Sequence, residues 1–289
     1  LIAKAAEILG VRPGQIIAAN GSDEILNFAF MGFADEKRPL AFADLTYGFY
    51  RVFAELNHIP YTEIPLRENF AIDPQDYIAI NKTIVLANPN APTGFPLPLA
   101  AVEKIIDSNP DHVVIVDEAY VDFGAESAVS LLEKYDNLFV TQTFSKSRSM
   151  AGLRIGYAIG GEELIKALND VKYSYNSYTM NMAAIELGTA VLADKDYFNE
   201  TVAKIVNTRE NAKVRLRELG FTFPDSKTNF IFAKPSRITA KELFEELKKR
   251  NIYVRYFTGD RVKDHLRITI GTDEEMERFY EAVREIQGA

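Results

Sequence analysis

Cysteine is absent from this chain of 289 residues, and histidine is scarce, with only His58, His112 and His265. Without cysteine there is no disulfide, no thiolate nucleophile and no cysteine-ligated metal. The histidines lie far apart in sequence and match no metal-ligand spacing such as H-E-x-x-H. No apolar run approaches the roughly 20 residues of a membrane helix. A basic block is also missing: 33 Lys+Arg against 41 Asp+Glu give a net charge of −8. That balance argues against nucleic acid or an anionic membrane as partner, and leaves room for local basic sites that take anionic small molecules. No signal peptide is visible, so the expected compartment is the cytoplasm. The chain opens on Leu1 inside a helical pattern, and we expect a native N-terminal segment to be missing.

What is present is an apolar pattern of large-domain size, 47% hydrophobic, enough for one big core and a smaller one. Residues 1–9 are apolar at helical spacing and stop at Gly10. Ile16-Ile17-Ala18-Ala19 reads as a strand that turns through Asn20-Gly21-Ser22 into a helix, with Ser22 as the expected N-cap and Asp23 and Glu24 in the first turn. Further short apolar runs follow at 40–42, 59–64, 83–87, 112–116, 138–140 and 155–159. Helical patterns between them cover about 47–57, 99–106, 162–169, 180–192 and 197–219. Strands alternating with helices imply a mainly parallel sheet with helices on both faces, an α/β fold. From Phe221 the pattern changes to a smaller α+β unit, with strands at 230–233, 252–255 and 265–270 and helices at 240–250 and 273–286. We place the large domain at 1–207 and the C-terminal small domain at 208–289.

The chemistry-bearing residues fall mostly just after strand ends, which converge on one crevice in such a sheet. Lys146 sits among Thr143, Ser145, Ser147 and Ser149 and is followed by Ala-Gly-Leu-Arg154. Alone, that stretch fits a solvated serine-rich loop as well as a lysine that condenses with an aldehyde. Ser22 opens a helix whose free amides suit a phosphate. Tyr47 follows a strand end, where a ring can stack on a planar ligand. Asp117 ends the run Val113-Val114-Ile115-Val116, where a desolvated acid needs a cationic partner. A phosphate cradle (Ser22, Ser145, Arg154), a stacking ring, a buried acid and an amine together describe pyridoxal phosphate. Lys146 would hold its aldehyde and later act as general base; Asp117 would keep the ring nitrogen protonated; Tyr120 would reach the phenolate oxygen. Arg255 and Arg267 lie within strands, where a guanidinium facing a pocket can clamp a carboxylate or phosphate, or serve an ordinary ion pair. The aromatic cluster Tyr173–Tyr178 either lines a pocket, with Asn176 as a candidate contact, or forms a surface loop.

The ordered set Gly21-Ser22-Asp23-Glu24, Thr46-Tyr47, Asn88-Pro89-Asn90-Ala91-Pro92-Thr93-Gly94, Asp117-Glu118-Ala119-Tyr120, Ser145-Lys146 and Ala151-Gly152-Leu153-Arg154 resembles the fold-type-I pyridoxal-phosphate aminotransferases. Within them, Leu45-Thr46-Tyr47-Gly48 and Leu266-Arg267-Ile268-Thr269-Ile270-Gly271 are most similar to the histidinol-phosphate aminotransferases. The resemblance runs the length of the chain. It implies a homodimer, a small-molecule amino donor paired with 2-oxoglutarate, and a cofactor set of Ser22, Asp23, Tyr47, Asn90, Asp117, Tyr120, Thr143, Ser145, Lys146 and Arg154. It further implies Arg267 on the substrate carboxylate and Arg255 near a substrate phosphate. The family usually carries Asn where this chain has Ala91, so Asn90 or Asn88 is expected to substitute, or Tyr120 to carry that bond alone. Other activities on the same scaffold are an aromatic amino-acid aminotransferase and a threonine-phosphate decarboxylase. A non-catalytic effector domain of a regulator is the alternative of another class.

Overall fold

The computed structural model describes residues 1–288. Seven strands form the large sheet: β1 (Ile16–Ala19), β2 (Leu40–Ala43), β3 (Tyr61–Ile64), β4 (Thr83–Ala87), β5 (Val114–Asp117), β6 (Leu138–Thr143) and β7 (Gly156–Gly160). Their order is β1-β7-β6-β5-β4-β2-β3. Strands β2 to β6 run parallel, and β7 runs antiparallel to both β6 and β1. The register pairs Ala87 with Asp117, Asp117 with Thr141, Thr143 with Gly156 and Gly156 with Ala19. One edge of the sheet therefore collects the candidate residues of four strands.

The strands are apolar on both faces because both are covered. Val114 and Val116 pack on one side with α1 (Ile2–Leu9), α4 (Leu99–Asp107) and α6 (Met182–Ala193). Ile115 packs on the other with α2 (Ser22–Phe33), α3 (Phe49–Leu56) and α5 (Glu162–Tyr175). Side chains alternate along a strand, so Asp117 belongs to the face of α2 and α3, and Glu118 to the opposite one.

The long helix α7 (Lys195–Glu218) then leads to a second, four-stranded sheet of order β10-β11-β9-β8. It comprises β8 (Phe221–Thr222), β9 (Phe230–Pro235), β10 (Arg255–Tyr256) and β11 (Leu266–Thr269), covered by α8 (Ala240–Lys249) and α9 (Asp273–Gln287). A separate apolar core forms here around Ala212, Leu216, Ile231, Leu243, Leu266 and Phe279. Arg209, 1% exposed, donates to the carbonyls of Phe123 (2.7 Å) and Thr228 (3.0 Å), tying α7 to both sheets. A second tie runs from Arg261 to Asp44 and, at 2.8 Å, to the carbonyl of Leu66.

Three local expectations are corrected. Gly21, at φ 99°, is the N-cap of α2, and Ser22 is its first helical residue. The positive φ is what requires glycine here; a β-carbon would meet only the movable Arg154 guanidinium, at 2.7 Å. The Tyr173–Tyr175 segment is the last turn of α5, which its polar residues had disguised. In the small sheet, β10 begins at Arg255, and Tyr253 before it is exposed.

Candidate active site

A cavity of about 170 Å³ opens at the edge where β4, β5 and β6 end. Its wall carries Ser22, Asp23, Tyr47, Asp117, Tyr120, Thr143, Ser145, Lys146 and Arg154, together with Ala87, Pro89, Ala91, Ala119 and Ala151. Nine of the thirteen site residues read from the sequence thus share one space. The Lys146 Nζ lies 5.4 Å from the centre of the Tyr120 ring and makes no ion pair among the described residues.

Asp117 is 5% exposed. Its carboxylate accepts from the Tyr50 hydroxyl at 2.7 Å and from Thr141 Oγ1 at 3.2 Å. Burial pushes its pKa up, and these two donors pull the other way. Both are neutral, and among the described residues the carboxyl makes no ion pair. Tyr47 donates to Asp23 at 2.8 Å, and burial with that carboxylate holds the phenol well above its usual range. Across the cavity, the Arg154 guanidinium reaches Ser145 Oγ at 3.4 Å and Asp23 at 3.5 Å over the start of α2. A β-carbon at Gly156 would stand 2.3 Å from the Ser22 amide nitrogen, so β7 and the turn into α2 touch backbone to backbone.

Four site expectations fall outside this wall. Asn90 is 1% exposed, but its amide donates to the carbonyl of Leu45 (3.0 Å) and to Thr93 (3.1 Å), and its oxygen accepts from Thr46 (2.8 Å). Asn88 is spent on the backbone of Leu97 at 2.8 and 3.1 Å. The expected substitution at Ala91 by Asn90 or Asn88 is therefore not met: both amides hold the loop together, and Ala91 itself faces the cavity. Asn176 is exposed at the end of α5, where its oxygen accepts from the amide of Tyr178 at 3.3 Å. Arg255 and Arg267 lie beyond the cavity on the small sheet, directly opposite each other in register. The Arg267 guanidinium sits 5.0 Å over Phe230, whose ring packs edge-on to Tyr120 at 5.1 Å. Its buried Nε has no hydrogen-bond partner among the described residues.

Tyr50, Phe230 and Gly156 escaped the sequence reading. Two left a signal: Tyr50 follows Tyr47 by three residues at a helix start, where such spacing puts two rings on one face, and Gly156 is a glycine inside a strand pattern, the mark of a close backbone approach.

The donor set fits a phosphorylated pyridine aldehyde. A turn of free amides, the three hydroxyls of Ser22, Thr143 and Ser145 and a guanidinium suit a phosphate dianion. A buried carboxylate with neutral donors alone suits a protonated ring nitrogen, and an amine unpaired among the described residues suits an aldehyde. This fold and donor set define a fold-type-I pyridoxal-phosphate enzyme. Residues 1–283 match the family of class I and II aminotransferases, and the chain belongs to that family. It is a pyridoxal-phosphate-dependent transaminase, acting on small amino and keto-acid substrates. It is 49% identical over 282 residues to a histidinol-phosphate aminotransferase of Brachyspira hyodysenteriae, covering 97% of this chain and 80% of that one. A histidinol-phosphate aminotransferase of Clostridium acetobutylicum is 46% identical over 280 residues, covering 97% of this chain and 80% of its own length. The fold matches that of the histidinol-phosphate aminotransferase of Sinorhizobium meliloti in complex with pyridoxal-5'-phosphate, with a TM-score of 0.90, 23% identity, and coverage of 99% of this chain and 80% of that one. No helix of the described residues is long and apolar enough to cross a membrane.

Proposed function

We propose that this transaminase interconverts L-histidinol phosphate and 2-oxoglutarate with imidazole-acetol phosphate and L-glutamate. The observation that carries the substrate reading is the pair Arg255 and Arg267. They are cross-strand neighbours, and neither makes an ion pair among the described residues. The names of the two relatives at 49% and 46% identity support the same reading.

In this reading Lys146 Nζ would hold the cofactor's aldehyde, and its amine, when free, would take the proton from the substrate α-carbon. When bound, the cofactor supplies an electron sink for the electron pair left on that carbon. Asp117 keeps a proton on the ring nitrogen, and Tyr120 donates to the phenolate oxygen. Tyr47 offers its ring as a platform. The start of α2, with Ser22, Thr143, Ser145 and Arg154, binds the phosphate. Arg267 takes the carboxylate of 2-oxoglutarate or glutamate, and Arg255 the phosphate of the amino donor. We place the domain boundary between residues 207 and 208, within α7, whose buried apolar residues Ala212 and Leu216 belong to the second core, with Ile205 packed at its margin. A homodimer is supported by the exposed apolar stripe Phe49, Val52 and Leu56 on α3. A cytoplasmic setting suits a chain without cysteine.

The test is a donor panel read by the spectral change of the bound cofactor: histidinol phosphate, histidinol, phenylalanine, threonine phosphate and aspartate. Histidinol phosphate should react with the highest efficiency. A better rate with phenylalanine or threonine phosphate would move the substrate assignment and leave the transaminase class intact.

A further inference from the structure

Behind the cavity wall, α3 contributes a side chain that none of the roles above uses. Tyr50 is 0% exposed, and its hydroxyl donates to Asp117 Oδ2 at 2.7 Å. Its ring meets Tyr47 edge-on, with centroids 5.6 Å apart and planes at 78°. Phe42 and Phe30 enclose the same ring at 5.8 and 6.3 Å. Helix α3 starts one residue before Tyr50, and the Tyr50 amide donates to the Tyr47 carbonyl at 3.1 Å. One rigid turn therefore fixes both tyrosines relative to each other and to the end of β5.

We propose that Tyr50 is a positioning residue that sets, with one side chain, the ionised Asp117 carboxylate for the cofactor's ring nitrogen and the angle of the Tyr47 ring platform. This rests on the assignment of Asp117 to the ring nitrogen. A carboxylate buried this deeply favours its neutral form, which would leave the ring nitrogen without an anion to face. A hydroxyl that donates to the charged form restores the balance without introducing a cation that would compete with the pyridinium. Thr141 donates to the second oxygen at the longer distance of 3.2 Å, so the phenol is the shorter and better-placed donor. Because the phenol approaches Oδ2 from the side of α3, it also holds the carboxylate plane against rotation.

The test uses the full chain stripped of cofactor and titrated, by calorimetry, with pyridoxal phosphate and with its analogue carrying carbon in place of the ring nitrogen. The ratio of the two affinities reports the contact between Asp117 and that nitrogen. Tyr50→Phe keeps the aromatic packing and should lower the ratio about tenfold, with affinity for the carbon analogue nearly unchanged. A merely structural role would weaken both ligands alike and leave the ratio where it was; that result overturns the proposal. Asp117→Asn serves as the reference and should collapse the ratio. If it leaves the ratio intact, the assignment of Asp117 fails, and the proposal falls with it for a distinguishable reason. Should Tyr50→Phe not fold, 3-fluorotyrosine placed at position 50 is a stronger donor of nearly the same shape. It should raise the ratio, and an unchanged or lower ratio overturns the proposal.

Discussion

The two sheets treat charge in opposite ways where they face the crevice. On the large sheet, Asp117 is buried with both oxygens engaged by neutral donors. On the small sheet, Arg255 and Arg267 oppose each other across neighbouring strands, and the buried Nε of Arg267 has no partner among the described residues. Like charges directly opposite destabilise a sheet, and an anion between them relieves that cost. In the proposed reading the cofactor side lies within one sheet, and the substrate side is left cationic, to be completed by the anion of the substrate.

Breaking the cofactor side should have the largest effect. Lys146→Ala removes the amine that would hold the cofactor and move the proton, and turnover should fall by about 10⁴-fold or more. Circular dichroism checks that the fold is kept; turnover within tenfold of the wild type would remove Lys146 from its role. Gly156→Ala comes next. Its β-carbon would collide with the backbone at Ser22 and Gly21, at 2.3 and 2.4 Å, and neither neighbour is a flexible side chain. The expected loss is about 2–4 kcal/mol of unfolding free energy, with weaker phosphate binding, read by chemical denaturation and cofactor titration.

The substrate side should break more gently and more selectively. Arg267→Ala should slow the half-reaction with 2-oxoglutarate about 10²-fold, since one charge-assisted clamp is lost. Arg255→Ala should cost about tenfold with histidinol phosphate and much less with phenylalanine. Equal losses with the two donors would show that Arg255 does not read the phosphate.

That division also marks how far the sequence could be read. Strand ends followed by acids, hydroxyls or glycine are local patterns, so Asp117, Thr143 and Lys146 were legible and converge on one wall. The covered sheet was legible from uninterrupted runs such as Val114–Val116. Orientation within a rigid loop was not: nothing in Asn88-Pro89-Asn90-Ala91 says that both asparagines turn inward to hold Leu97, Leu45 and Thr93. Contacts between distant segments were invisible for a different reason. Arg261 and Asp44 are 217 residues apart, and no periodicity couples them. The same holds for Arg209, one charged residue among many on the long helix, which is 1% exposed and tied to the carbonyls of Phe123 and Thr228.

A change spread over several pH units sharpens the comparison most, because it gives each sheet a pH signature of its own. On the large sheet, the Glu118 carboxyl is 2% exposed and accepts from Ser127, the amide of Ala128 and Gln142, at 2.7, 2.6 and 2.8 Å. Burial raises its pKa from 4.5 to about 7. On the small sheet, His265 stacks on Phe232 at 4.5 Å and meets Phe70 edge-on at 5.0 Å. Burial there lowers its pKa from 6.5 to about 4. A carboxyl with a raised folded-state pKa contributes stability that is complete below 4.5 and is lost as pH rises through about 7, at most roughly 3 kcal/mol. A histidine with a depressed one contributes stability that is complete above 6.5 and is lost as pH falls through about 4, and by less, because the ring is partly exposed. Between pH 4.5 and 6.5 the two slopes oppose each other and flatten the wild-type curve. Glu118→Gln should therefore leave a stability that climbs with pH in this window, and His265→Phe one that falls, both followed by thermal unfolding at a series of pH values. Parallel curves for the two variants would mean that neither group titrates out of its usual range, and the contrast between the sheets would then rest on the arginines and Asp117 alone.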